Sequence, residues 1–292
     1  MKQTAVVTAG TAGIGLETAL GLAEAGLAVT LVGRDGERGA RAVERINGTA
    51  PAHSARFLAA DLASLGAVRA LAGRIAADGP LTVLVNNVGA MFADRQESVD
   101  GIEATFAVNH LSPYLLTELL LPVLRAGSPS RIVNVTSGAV GVAKRVFDAV
   151  EPPGGYYGFH WYGRAKLANL AYTLELAERL DGTGVSVFAA DPGGAATDMT
   201  NGTMTDPKIV SPGLRLLWPL VRRKFERSTS GPASLAARSS IFAATDGSLA
   251  GRTGVVIGPQ AHPVAPFRAA ADPRVAEAVR RLSERLAPVT TA

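Results

Sequence analysis

Short β-branched runs alternate with longer segments of helical spacing along this chain, and that alternation constrains the fold more than any other feature. The runs are Thr4–Thr8, Ala28–Val32, Leu81–Val85, Arg131–Val135, Val185–Ala189 and Gly254–Ile257. Between them, residues 14–25, 36–47, 64–78, 101–125, 162–181 and 231–245 are rich in Ala, Leu, Glu and Arg with apolar positions at helical intervals. Strands that are apolar throughout are buried on both faces. The pattern therefore predicts an α/β fold: a doubly wound parallel sheet with helices on both faces. Residues 1–292 read as a single domain with one excursion, 198–230, rich in Pro, Gly, Thr and cations. A stretch that long without a strand reads as a substrate loop or lid.

Composition removes several classes of function. A hydrophobic content of 47% against 18% charged residues excludes disorder. The chain has no cysteine, which excludes a disulfide framework, a thiol nucleophile and a zinc ribbon. His53, His110, His160 and His262 lack ligand spacing, so no metal centre is expected. The net charge of +4 comes from scattered arginines, grouped only at Arg222-Arg223-Lys224, which argues against a nucleic-acid partner. The apolar run near the N-terminus is broken by glycine from Gly10, and Tyr114–Leu124 contains Glu118 and Pro122. Neither approaches the roughly 20 apolar residues of a membrane span, and the expectation is a cytoplasmic protein.

The first run leads into Thr8-Ala9-Gly10-Thr11-Ala12-Gly13-Ile14-Gly15 and then a helix. Glycine at such a turn lets the backbone approach a pyrophosphate, whose charge is favoured by the helix N-terminus. Tight strand–helix turns also use glycine for steric reasons alone, so a second signal matters. It lies at the end of the second run, Leu31-Val32-Gly33-Arg34. NAD sites place a carboxylate here for the ribose hydroxyls, whereas an arginine suits a 2′-phosphate. Gly33 has no carboxylate, and Arg34 with Arg38 offers planar guanidinium forks. NADP(H) is the expected cofactor.

Ser137 follows the fourth run at the strand end where open α/β sheets bind ligands. Tyr162 and Lys166 are four apart at the expected head of a helix, hence on one face. A phenol of ordinary pKa near 10 is a poor base at neutral pH. A nearby ammonium and a nicotinamide cation would bring it toward the working range. Ser137 would then orient a carbonyl or hydroxyl oxygen.

Taken together, these segments resemble the short-chain dehydrogenase/reductase family, which has a Rossmann-type fold. Thr8–Gly15 resembles its TGxxxGxG turn, Asp61-Leu62 its adenine-contacting pair and Asn86-Asn87-Val88-Gly89 its NNAG. Asn109, Ser137, Tyr162 and Lys166 match its catalytic residues, and Pro192-Gly193 with Thr197 resembles its PGxxxT segment. The resemblance implies a cofactor site of Thr8, Gly10, Thr11, Gly13, Ile14, Gly15, Arg34, Arg38, Asp61, Leu62, Asn87, Val88, Gly89, Pro192, Gly193 and Thr197, with Tyr162 and Lys166 shared. It also implies Tyr162 as proton donor or acceptor, Lys166 on the nicotinamide ribose, Ser137 on the substrate oxygen and Asn109 positioning a water. Asn109-His-Leu, Tyr162–Asn169 and 147–157 are most similar to the retinol-dehydrogenase-like branch, which handles apolar alcohols and carbonyls. Homo-dimers or tetramers through the helices near 101–125 and 162–181 are a further family expectation.

Departures from the pattern are small: Ala9 for the first glycine, Val88 for alanine, Ala165 for serine and Asp191 before Pro192. His110 is expected to pack or cap beside Asn109 and His160 to line the pocket. Tyr156, Tyr157, Phe159 and Trp161 read equally as core or as a wall of an apolar pocket. Residues 209–224 read as a lid helix or as an interfacial membrane patch, with Trp218 and leucines beside three cations; their place after Thr197 favours the lid. The expected function is NADP(H)-dependent hydride transfer to or from a small apolar carbonyl or alcohol. A biosynthetic tailoring enzyme (a ketoreductase, or a non-redox cyclase or epimerase) and a non-catalytic NADP sensor are the alternatives.

Overall fold

The computed structural model describes residues 3–50, 55–195, 203–229 and 231–289. Its strands are β1 (Thr4–Thr8), β2 (Ala28–Gly33), β3 (Arg56–Ala59), β4 (Val83–Asn86), β5 (Ser130–Val135), β6 (Val185–Ala190), β7 (Val255–Ile257) and β8 (Pro263–Val264). They form one sheet in the order β3-β2-β1-β4-β5-β6-β7-β8. The first seven are parallel, and β8 runs antiparallel to β7. Each predicted strand is found within two residues of its expected position. The two that the alternation misses are short edge strands. β3 is four residues long and begins with Arg56, which donates to the Thr30 hydroxyl at 2.9 Å. β8 spans only two residues.

Side chains alternate between two apolar layers, as the pleat requires. Ala5, Val7, Val83, Val85 and Val133 pack under α1 (Gly13–Glu24) and α2 (Gly36–Thr49). Val6, Leu84 and Ile132 face the opposite layer, which contains α3 (Leu65–Ala76). After α3 the chain forms the single turn α4 (Ala104–Phe106), a π-helical turn at Ala107–Leu111, then α5 (Ser112–Ala126) and α6 (Gly158–Arg179). α6 starts four residues before the predicted boundary, so Tyr162 sits one turn inside the helix and not at its head.

The excursion folds into short turns at 203–205 and 207–209, then α7 (Pro212–Arg215) and α8 (Trp218–Ser228). The sheet is completed by α9 (Ala233–Thr245), which packs beside α1. Residues 273–286, to which the alternation assigns nothing, form α10 (Pro273–Leu286), opened by the Asp272 carboxylate accepting the Arg274 N–H. Its Val279 and Leu282 bury against α6. α6 is consequently buried along nearly its whole length within one chain, and α10 occupies a flank that the expected helix-to-helix homo-oligomer would have to share. Among the described residues no helix is long and apolar enough to cross a membrane.

The order of the strands reverses between β1 and β4, where the sheet splits chain direction and leaves a crevice at its carboxyl edge. The glycine turn enters this crevice. A Cβ on Gly15 would lie 2.2 Å from the Ala9 carbonyl oxygen, so only glycine permits this approach of helix to turn. Ala9 adopts φ +48°, in the left-handed region. That conformation costs an alanine about 1–2 kcal/mol, partly offset by about 0.5–1 kcal/mol from glycine's greater unfolded freedom. Ala9→Gly is therefore expected to raise stability by about 0.5–1 kcal/mol in urea unfolding; a lowered midpoint would show that the alanine carries no strain.

Candidate active site

A cleft of about 1120 Å³ runs along the carboxyl edge of the sheet. At one end it is bounded by Gly33, Arg34, Asp35 and Arg38, and at the other by Ser137, Tyr162 and Lys166. Thr11, Gly13, Ile14, Gly15, Asp61, Leu62, Asn87, Val88, Gly89, Pro192 and Gly193 line the stretch between. Two predicted contacts do not face it. Thr8 is buried, and its hydroxyl accepts the N–H groups of Asn87 at 2.9 Å and Val88 at 3.1 Å. Gly10 lies beneath the turn, donating to the Val32 carbonyl, where a Cβ would meet the Val7 oxygen at 2.8 Å. Both shape the turn without lining the cleft. Thr197 lies outside the described residues.

The N-terminus of α1 has no side-chain cap and no acidic residue in its first turn. Its first N–H groups lack helical partners and the helix dipole favours an anion there. α2 differs: the Asp35 carboxylate caps it by accepting the Arg38 N–H at 3.0 Å, which holds that carboxyl below its usual range. The nearest carboxylate at this end is thus committed to a helix cap, and both neighbouring arginines are exposed.

At the other end the catalytic candidates converge on the chain leaving β4. Lys166 is buried, with Nζ donating to the carbonyls of Val88 at 3.2 Å and Val135 at 2.9 Å. Asn109 sits in the π-helical turn. Its Nδ2 donates to the carbonyls of Ala90 and Thr105, each at 2.7 Å, and its Oδ1 accepts the Ala90 N–H at 3.1 Å. A Cβ on Gly89 would lie 3.5 Å from Asn109 Oδ1, 3.7 Å from Lys166 Nζ and 3.9 Å from the Tyr162 hydroxyl. The absent side chain is what opens this corner. Ser137 is extended and caps the turn at Gly138–Val142, its hydroxyl accepting the Ala139 N–H at 3.2 Å.

Within the chain itself, Lys166 is not among the groups that shift the Tyr162 pKa. Burial pushes the Tyr162 phenol up to about 12, with a hydrogen bond from Ser137 opposing and the Asp191 carboxylate adding to the rise. Burial pulls the Lys166 ammonium down to about 8. The reason is geometric: Lys166 Nζ lies 5.8 Å from the Tyr162 ring centre and spends two hydrogen bonds on backbone carbonyls.

The walls around Tyr162 are apolar. Met91, Ala139, Ile209 and Val210 cluster with it, and Phe159, Met204, Leu214 and Trp218 pack against that cluster. Five of these eight, Met204, Ile209, Val210, Leu214 and Trp218, come from the excursion, where no periodic signal marks them. Of Tyr156, Tyr157, Phe159 and Trp161, only Phe159 lines the cleft. The rings of Tyr156 and Trp161 pack at a tilt of 41° with centres 4.9 Å apart, and the Tyr156 hydroxyl bonds Thr105 and the Phe92 carbonyl. His160 does not line the cleft either; its Nδ1 lies 3.1 Å from the Val142 carbonyl.

Sequence reasoning also passed over Arg164, between Tyr162 and Lys166. It is fully buried, donates to the carbonyls of Val146 and Ala149, and lies 4.7 Å from the Phe106 ring centre and 5.0 Å from that of Phe147. An interior arginine on an apolar helix reads as a surface charge until the 143–150 loop is seen to cover it. Among the described residues, no three His, Cys, Asp or Glu side chains converge as a metal site would need.

The chain belongs to the short-chain dehydrogenase family, whose family model matches residues 3–208. It is an oxidoreductase-family protein most similar in sequence to the retinol-dehydrogenase-like branch. It is 36% identical to retinol dehydrogenase 12 of Mus musculus over 227 residues, covering 77% of this chain and 69% of that protein. With dehydrogenase/reductase SDR family member 13 of Bos taurus it shares 40% identity over 194 residues, 65% of this chain and 51% of that protein. The chain therefore spans between half and about two thirds of the length of these relatives. Among solved structures, the Pseudomonas aeruginosa RhlG/NADP active-site complex superposes with a TM-score of 0.67 at 29% identity, over 88% of this chain and 94% of that one.

One buried group beside the site has a pH signature. His110 follows Asn109 and packs, as expected, in the core among Phe106, Tyr114 and Tyr172. The Ser283 hydroxyl of α10 donates to the Val279 carbonyl and so accepts from His110 Nε2 at 2.7 Å, leaving Nδ1 without a partner among the described residues. Burial, with the Arg164 charge adding, pulls the imidazole down to about 3. The unfolded chain then binds the extra proton between an ordinary pKa of about 6.5 and the folded value, so stability is complete above about pH 6.5 and falls as the pH drops. His110→Phe should abolish about 2 kcal/mol of the stability difference between pH 6.5 and 5 in urea unfolding. Identical pH slopes in the two proteins would show that His110 does not titrate this way.

Proposed function

We propose that the protein is an NADP(H)-dependent oxidoreductase that transfers hydride to or from a small apolar carbonyl or alcohol, with Tyr162 as general acid or base. The observation that carries this is one cleft with two unlike ends: exposed Arg34 and Arg38 at one, and Tyr162 with Ser137 in an apolar corner at the other. The cleft exceeds the roughly 300–1,000 Å³ of a typical ligand pocket, which suits a dinucleotide together with a substrate.

The residues present fit that cofactor. The uncapped N–H groups at Gly13-Ile14-Gly15 suit the pyrophosphate, and Arg34 with Arg38 suits a 2′-phosphate, the carboxylate between them, Asp35, being turned to its helix cap. Asp61 and Leu62 would flank adenine, while Asn87–Gly89, Pro192 and Gly193 would wall the nicotinamide half. When bound, the nicotinamide supplies the hydride.

The chain's own groups handle the proton and the positioning. A phenol held near 12 is protonated at neutral pH, so Tyr162 is set to give its proton to a carbonyl oxygen as hydride arrives at the carbon. Ser137, whose side chain is near enough to Tyr162 to lower its pKa, holds the same oxygen. Lys166 places its ammonium beside the ribose position, oriented by the carbonyls of Val88 and Val135. Met91, Phe159, Val210 and Leu214 exclude water and select an apolar substrate body. The names of the relatives, retinol dehydrogenases, support an apolar alcohol or aldehyde.

A carbonyl panel with NADPH tests the chemistry. Tyr162→Phe should lower kcat/KM by at least about 100-fold, the contribution of a positioned acid, while NADPH binding persists; turnover equal to the parent would overturn the assignment. Tight NADPH binding with no turnover of any substrate would point instead to a cofactor sensor. Arg34→Ala should weaken NADPH by roughly tenfold or more and NADH little, since one charge-assisted phosphate contact is removed. Equal losses for both cofactors would rule out the 2′-phosphate role.

A further inference from the structure

The excursion has two apolar sides, and the cleft accounts for only one. Met204, Val210 and Leu214 point into the cleft, with Ile209 buried beneath them. Arg215 fixes the segment from within, donating to the carbonyls of Pro207, Lys208 and Val210. On the other side Leu216, Leu217 and Leu220 are 87%, 53% and 67% exposed. Among the described residues four large apolar side chains are more than half exposed, and three of them fall within these five positions. A cluster like this on one corner of the surface needs a partner.

The charge beside it selects the partner. The sequence of α8 carries Arg222, Arg223, Lys224 and Arg227 against the single carboxylate Glu226. Arg222 pairs with Glu226 at 2.7 Å, and Arg223 is exposed. A cationic helix behind a leucine tip repels a second copy of a chain whose net charge is already +4. It attracts an anionic bilayer, whose surface draws in cations while its acyl boundary accepts leucines.

We propose that the outer face of residues 216–227 is a peripheral docking site for an anionic lipid surface, with Leu216, Leu217 and Leu220 entering the acyl boundary and the α8 cations lying at the headgroups. The leucine tip adjoins the cleft wall at Leu214, so docking places the mouth of the cleft at the lipid, from which an apolar substrate enters without crossing water. That consequence rests on the proposed apolar substrate; the docking itself does not.

Co-sedimentation of the whole chain with vesicles tests the docking without substrate or cofactor. Phosphatidylcholine vesicles should bind at least about tenfold more weakly than the same vesicles containing phosphatidylglycerol. Leu216→Ser/Leu220→Ser should lower partitioning to the mixed vesicles by about tenfold or more, and Arg223→Ser by about fivefold. Circular dichroism melts matching the parent would show that the variants fold. The proposal is overturned by absence of binding to both vesicles, by unchanged binding of the leucine variant, or by self-association in light scattering that the same substitutions abolish. A loss of NADPH-dependent turnover in Tyr162→Phe with vesicle binding intact, or the converse, separates failure of this proposal from failure of the proposed chemistry.

Discussion

The site depends on how the backbone is satisfied where the chain leaves β4. Residues 87–90 have stepped off the sheet, so their N–H and C=O groups lose ladder partners along a stretch in which Val88 is buried and Asn87 and Ala90 are half-buried. Side chains from three distant segments supply the bonds. The Thr8 hydroxyl takes the N–H groups of Asn87 and Val88, Lys166 binds the Val88 carbonyl, and Asn109 binds both polar groups of Ala90. Asn87 answers by donating its side-chain amide to the carbonyls of Thr8 and Ala9. The groups assigned to chemistry are therefore also what fixes the geometry of their own site. Gly89 completes it by leaving a corner that Asn109, Lys166 and Tyr162 all approach.

The same economy explains the irregular helix geometry there. A π-helical turn at Ala107–Leu111 is an uncommon distortion found mostly at functional sites. It carries Asn109 toward Ala90 and the next residue, His110, toward Ser283 on α10. One distortion thus ties the site to the C-terminal helix. Arg164 makes a comparable tie on the other side, holding the 143–150 loop by two carbonyls and the Phe106 and Phe147 rings. A buried guanidinium with polar partners and aromatic faces is tolerable where an unpaired one would not be.

Most of this arrangement was legible from local pattern. The alternation located six strands because a buried parallel strand is continuously apolar, and that signal survives in a single sequence. The edge strands β3 and β8 escaped because runs of four and two residues are too short to show a pattern. Tyr162 and Lys166 were found by spacing, Ser137 by its place at a strand end and Asn109 through the family resemblance; the structure brings Asn109, Tyr162 and Lys166 to one corner at Gly89. Thr8 and Gly10 were grouped with the cofactor residues because the motif is contiguous, yet a turn can have residues above and below it, and these two lie below. Arg164, whose role depends on what covers it, had no local signature, and the excursion was marked as a lid without showing which of its side chains turn inward.

The sequence by itself determined the layered α/β architecture, the glycine turn, the arginine in place of a carboxylate after β2 and the identity of the Ser–Tyr–Lys group. The architecture follows from apolar periodicity, the turn from backbone sterics, the arginine from charge, and the Ser–Tyr–Lys group from a strand end, helical spacing and the family resemblance. Only the tertiary structure decided how protons are held and what the excursion does. Burial sets Tyr162 near 12 and Lys166 near 8, and burial is a property of the packed neighbours. The two-sided character of residues 204–227 is likewise invisible in one dimension, because inward Leu214 and outward Leu216 are the same residue type two positions apart. Their difference comes from the chain's path over the cleft, and that path is fixed by contacts far away in sequence.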